Sequence, residues 1–150
     1  MNEHHLELSV RREVRADLPD KKTVRSWVVA ALERDAQINI VFVGPRKGRQ
    51  LNVQYRGKDY ATNVLTFDYE HKPVAVADIV LCVPVVEKEA LEQGKTFTEH
   101  LAHLIVHGVL HAHGYDHARL AQAKKMEALE TKIMLALGFA DPYSDPAKAH

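Results

Sequence analysis

"FTEHLAHLIVHGVLHAH", Phe97 to His113, decides how the rest of the chain must be arranged. Thr96 or Thr98 stands near its start and Gly114 follows its end, residues that open and close helices. Leu101, Leu104, Ile105, Val106, Val109 and Leu110 fall on nearly every side of that helix. A helix that is apolar all round is buried, not laid on a surface. Other elements must therefore cover it, and the sequence predicts a layered domain with this segment at its centre.

Those covering elements are visible on both sides. "LELSV" (Leu6–Val10) alternates and reads as a short strand. "PDKKTVRSWVVAALERD" reads as a helix, with Pro19 or Asp20 near its start and Val24, Trp27, Val28 and Leu32 on one stripe. "QINIVFVG" (Gln37–Gly44) is a strand closed by Gly44-Pro45. "QLNVQY" alternates and reads as the next strand, "NVLTFDYE" as a third, and "VAVADIVLCV" (Val74–Val83), the most apolar, as the central one. Pro84 suits the first turn of a helix over Val85–Gln93. "ARLAQAKKMEALETKIMLALG" forms a last long helix, with Met126, Leu129, Ile133 and Leu137 toward the core. The expectation is one α+β domain over residues 1–150, a mixed and mostly four-stranded sheet packed with helices around a buried His-bearing helix. Residues from about 144 to 150 are expected to form a frayed tail.

Composition narrows the function classes. Apolar residues make up 46% and charged residues 27%, ordinary for a globular domain. No apolar run reaches the ~20 residues that span a bilayer, so no membrane partner is expected. The polar start lacks a secretory h-region, and a single cysteine, Cys82, suits a reducing cytoplasm. The 20 basic and 20 acidic side chains cancel, which excludes a strongly basic nucleic-acid-binding chain. One stretch departs from this balance: Gly44–Lys58 carries Arg46, Lys47, Arg49, Arg56 and Lys58 and no acid. It reads either as a solvated hairpin or as a local edge that contacts phosphates. No dinucleotide cofactor is expected.

Ten histidines are the oddest feature, and six of them fall between His100 and His117. At about 100° per residue, His107 and His111 lie on one helical face and can put two imidazoles on one metal. Gly114 lets the chain fold back, so that His117 can supply a third nitrogen. Three ligands with a fourth position open is the catalytic form of zinc. His100 and His103 share the stripe and read as core or ligand-supporting residues, while His113 projects off it and is expected to be exposed. The run "HGVLHAHGYDH" matches the zinc-protease pattern H-E-x-x-H-x-x-G-x-x-H except at Gly108, where the protease carries its glutamate base. Peptide hydrolysis of that type is thus disfavoured. Three neutral imidazoles leave the metal charge uncompensated, which suits an anionic phosphodiester. Glycine inside a helix costs about 1 kcal/mol relative to alanine, pointing to a close approach by substrate or another backbone. Asp116 is either a plain turn residue or a partner of a ligand histidine or of the metal-bound water.

The same residues resemble a known family. "HGVLHAHGYDH" is similar to the H-G-x-L-H-x-x-G-Y-D-H signature of the YbeY-type endoribonucleases, and "LNVQYRGKDYATNVLTF" (Leu51–Phe67) resembles that family's arginine-bearing segment. "ADIVLC", "VVEKEALEQGK" and "MEALETKIMLALGFADPY" fit as well, so the likeness covers most of Leu51–Tyr143. It implies a zinc-dependent, single-strand-specific endoribonuclease that matures small-subunit ribosomal RNA and acts in ribosome quality control. It also implies one Zn²⁺ per chain on His107, His111 and His117, and Arg56 in contact with the scissile phosphate. Arg46, Lys47, Arg49 and Lys58 would guide the RNA backbone. Partners would be single-stranded RNA and the small ribosomal subunit, in the cytoplasm. Two other readings stand beside it: a ribosome-associated binding module with a structural zinc, and a metal hydrolase of small anionic substrates.

Overall fold

The computed structural model describes residues 4–116 and 118–144, so His117 and residues 145–150 lie outside the described residues, the expected tail among them. Strand β1 (Leu6–Arg12) leads through helix α1 (Lys21–Ala30) to β2 (Ala36–Val43). Helix α2 (Pro45–Arg56), β3 (Val64–Glu70) and β4 (Ala75–Cys82) follow, then α3 (Val83–Glu92), α4 (Phe97–Ala112) and α5 (Leu120–Ala136). The sheet order is β1-β2-β4-β3. β1, β2 and β4 are mutually parallel, and β3 runs antiparallel along β4 at the edge. This is the expected α+β fold with a mixed four-stranded sheet, and Val74–Val83 supplies one of its two inner strands.

Strand alternation assigns the two faces. Ile38, Ile40, Phe42, Ala77, Ile79 and Leu81 join Leu101, Ile105, Val109 and Met126 in the main core. Val43, Leu65, Phe67, Val80 and Cys82 form a smaller cluster on the opposite face, with Leu51 of α2 against it. Helix α4 is enclosed as expected, touching α1, α3, α5, β3 and β4. Its start is capped by Thr96, whose hydroxyl accepts the Glu99 N–H at 3.0 Å. Its end is turned by Gly114 at φ +105°. Among the described residues no helix is long and apolar enough to cross a membrane.

The structure corrects three readings. "QLNVQY" is helical, not a strand, and Gly44–Lys58 is not a hairpin. Gly44 caps α2, Pro45 stands at its first turn, and Gly57 closes it at φ +68°. Leu51 and Tyr55, separated by two periods of the apparent alternation, are four residues apart, so a helix also sets both on one side. Leu51 and Tyr55 line one cavity with Phe67 and Val80 of the sheet, and Tyr55, though 62% exposed, sets its ring edge-on to Phe67, whereas Val53 lines the outer groove with Arg46 and Arg49. Gly48 permits close seating of the helix, since a Cβ there would lie 2.9 Å from Cys82 Sγ. His113 is buried, not exposed. On an enclosed helix, a side chain pointing off the histidine stripe still meets a neighbour: its Nε2 accepts the Glu33 N–H at 3.1 Å, from the segment after α1, while its Nδ1 donates to the Val109 carbonyl of α4 itself at 2.8 Å.

Cys82 is buried under Gly48, and burial pushes its thiol pKa up. A raised pKa leaves less of the reactive thiolate at a given pH. We expect a disulfide reagent at pH 8 to label the native protein orders of magnitude more slowly than the urea-unfolded chain, at a rate set by structural opening. Native labelling as fast as that of the unfolded thiol would contradict this packing.

Candidate active site

The histidine stripe of α4 lies along the molecule with a different neighbour at each turn. His100 bonds Glu89 of α3 at 2.9 Å. His103 bonds Glu130 Oε1 of α5 at 2.5 Å, and His107 Nδ1 bonds the other oxygen of Glu130 at 3.0 Å. His111 Nε2 is 3.7 Å from Asp68 Oδ1 on β3, and Asp68 also pairs with His71 at 2.6 Å. His100 and His103 thus support other groups, as the sequence suggests.

Glu130 is itself 1% exposed. Burial alone would raise its pKa, but hydrogen bonds from His103, His107 and Tyr143 outweigh this and hold it down at about 2. The Tyr143 hydroxyl donates to Oε1 at 2.5 Å, and burial together with that carboxylate pushes the phenol pKa upward. An ionised carboxylate only accepts, so the His107 ring nitrogen facing it carries the hydrogen.

Arg56, at the C-terminal end of α2, lines one cavity of about 280 Å³ with Tyr55, Thr66, His107 and His111. The cavity wraps over the sheet edge: consecutive β3 residues Val64, Leu65, Thr66 and Phe67 all face it. Such a wrap is possible because β3 is an edge strand, so the guanidinium end of α2 and the imidazoles of α4 meet from opposite faces of the sheet. His107 also lines a larger adjoining cavity of about 680 Å³ with Asn63, His103, Lys95 and Tyr143.

Asp116 Oδ1 accepts the Ala118 N–H at 2.9 Å, a turn hydrogen bond just past the helix. Arg46 and Arg49 line a shallow groove along α2, where Arg49 pairs with Asp59 at 2.6 Å. Lys47 lies on another side of α2, beside Arg11, Tyr55 and Tyr69. Lys58 is exposed just past the helix. Gly108 is buried against the sheet, where a Cβ would lie 3.0 Å from two carbons of Ile79 and 3.2 Å from Thr66 Oγ1. The close approach at Gly108 is therefore made by sheet side chains, not by substrate or another backbone as the sequence suggests.

Sequence reasoning missed Glu130 and Asp68. Glu130 carried a signal, since it lies four residues from both Met126 and Met134, which are buried. A charge on an inward stripe needs a partner. Asp68 sits on an edge strand and gave none.

His107 has its Nδ1 engaged by a carboxylate, the arrangement that leaves Nε2 as the lone-pair nitrogen. His111 lines the same cavity as His107, with its Nε2 3.7 Å from Asp68 Oδ1, beyond hydrogen-bond distance. Two imidazoles so placed fit a divalent metal that takes nitrogen ligands. Among the described residues no group of three metal-ligating side chains forms, and His117, the third predicted ligand, lies outside them.

Comparison with known proteins follows the same residues. The sequence model of the family described as "Endoribonuclease YbeY" matches residues 10–138. A protein of that description from Ralstonia nicotianae is 56% identical over 140 residues, covering 91% of this chain and 74% of its own. The Delftia acidovorans relative, described alike, is 53% identical over 151 residues and covers 96% and 99%. A solution structure from Thermotoga maritima superposes with a TM-score of 0.58 at 25% identity, over 91% of this chain and 99% of its own.

Gly108→Ala tests the packing. Alanine gains about 1 kcal/mol of helix propensity, but overpacking the core costs ~1–3 kcal/mol. We expect net destabilisation in urea unfolding, and a smaller cost in an Ile79→Val background, where one of the crowding carbons is gone. Equal effects in both backgrounds would show that the helix–sheet contact is not the constraint.

Proposed function

The chain belongs to the endoribonuclease YbeY family, and from that premise we propose that it cuts single-stranded RNA during maturation of small-subunit ribosomal RNA and in ribosome quality control. As an endoribonuclease it is a hydrolase of internal phosphodiester bonds. The proposed assignment puts one zinc ion on His107, His111 and His117, with Arg56 at the scissile phosphate. The observation that carries it is the shared cavity: Arg56, His107 and His111, from two helices on opposite sides of the sheet, line one space.

The chemistry of the chain's own groups supports this reading. A phosphodiester gathers negative charge on its non-bridging oxygens as it is cut. A guanidinium can hold two of those oxygens through paired donors and keeps its charge at any working pH. When bound, zinc would supply Lewis acidity at a phosphate oxygen and lower the pKa of a coordinated water. Gly108 offers no carboxylate beside the first ligand, and its place is filled by Ile79 and Thr66. Arg46, Arg49 and Arg56 lie at i, i+3 and i+10 of α2, close to one side of that helix at about 100° per residue. We assign that side the approach of the RNA backbone, with Lys47 and Lys58 as flanking contacts. Asp116 keeps a proposed supporting place near His117 through its turn. The small ribosomal subunit as partner and the cytoplasm as setting belong to the same proposal.

Two variants separate the roles. Arg56→Ala should retain metal and lose cleavage of a labelled single-stranded RNA by at least ~10²-fold, the cost of removing one charge-stabilising donor. His111→Ala should lose both metal and cleavage. Wild-type cleavage by Arg56→Ala with full metal content would overturn the assignment.

A further inference from the structure

We infer that Glu130 is the positioning residue for the proposed metal centre: it fixes His107 as the Nδ1–H tautomer and holds its ring toward the cleft. The inference rests on the reading of His107 as a ligand.

The geometry is specific. Oε2 of Glu130 meets His107 Nδ1 at 3.0 Å, while Oε1 takes both His103 and the Tyr143 hydroxyl. The carboxylate is therefore held from two sides and cannot turn away from His107 without breaking two other bonds. Packing does not explain a carboxylate at this position. Met126 and Met134, one turn before and one turn after, fill the same stripe with apolar side chains. A buried carboxylate is retained where it has partners, and here all three partners converge from α4 and the turn that ends in Tyr143.

Three consequences follow for a divalent cation. Neutral imidazole binds metals through its lone-pair nitrogen, and a carboxylate on the opposite nitrogen selects which one that is. The same carboxylate makes the ring a stronger donor. Its negative charge, one imidazole away, also offsets part of a dipositive charge that neutral histidines leave uncompensated. His103 and Tyr143 then act on Glu130, not on the metal, and are supports of the support.

Two measurements test this. In metal-stripped wild-type protein at pH 8.5, long-range imidazole ¹H–¹⁵N spectra should show His107 protonated at Nδ1 and bare at Nε2. The reverse tautomer would overturn the inference without any variant. For Glu130→Gln, competition for Zn²⁺ against a chromogenic chelator should give an affinity ~10–100-fold below wild type, the usual cost of removing such a partner. Tyr143→Phe, which leaves the Oε2 bond intact, should bind within a few-fold of wild type. Glu130→Gln at wild-type affinity, or Tyr143→Phe impaired as severely as Glu130→Gln, would overturn it. Absence of Zn²⁺ binding by the wild type itself would instead sink the ligand reading on which it rests.

Discussion

Enclosing a helix that carries imidazoles is the constraint on which the rest depends. Helix α4 contributes much of the core, so its polar rings cannot be left to water. Each buried ring nitrogen that donates needs an acceptor from a neighbour. Glu89 on α3 serves His100 and Glu130 on α5 serves His103 and His107, while His113 donates back to the Val109 carbonyl of α4 and accepts the Glu33 N–H. The neighbours of α4 are thus matched to its histidines as well as to its leucines. Along the stripe, side-chain exposure climbs from 5% at His100 through 13% and 24% to 28% at His111. One row of identical residues becomes a graded series. Its inner members are tied into the fold, and its outer members open onto the cavity.

The sheet order completes the cavity. Were β3 a central strand, α2 and α4 would be walled apart on opposite faces. At the edge, β3 lets Arg56 and the two outer imidazoles line the same space from either side. The chain reaches this arrangement because α2 is inserted between β2 and β3 and is seated closely through Gly48. A bulkier residue there would press on Cys82 and lift α2, with Arg56 at its end, away from the sheet.

Much of this was legible before any coordinates. Residues 97–113 predicted a buried helix from composition alone, and the strong alternation or apolarity of the segments within β1, β2, β3 and β4 predicted those strands. The failures share a cause. Over six residues, Leu51, Val53 and Tyr55 satisfy a period of two, yet Leu51 and Tyr55 also satisfy a turn of helix; the Gly44-Pro45 start and the Gly57 stop decide for the helix. His113 was misplaced because its exposure depends on what α4 packs against, which a single helix cannot reveal. The pairing of His107 with Glu130 spans 23 residues and two helices, so spacing along the chain does not encode it.

The position of the carboxylate ties the site to its chemistry. In the metalloprotease pattern it follows the first histidine directly, where it can take a proton from water. Here that position is a glycine pressed on Ile79 and Thr66, and the buried carboxylate stands behind His107 instead. Behind the proposed ligand, a carboxylate would orient the ring without itself lining the cavity. It would also add negative charge next to an anionic substrate if it faced the cavity directly. With the Glu130 anion behind the imidazole and the Arg56 cation on the cavity wall, it is the cation of the two that an anionic phosphate meets, and Asp68, 3.7 Å from His111 Nε2, is also paired with His71. The absence of a glutamate at position 108 and the presence of Glu130 are therefore two sides of one electrostatic arrangement.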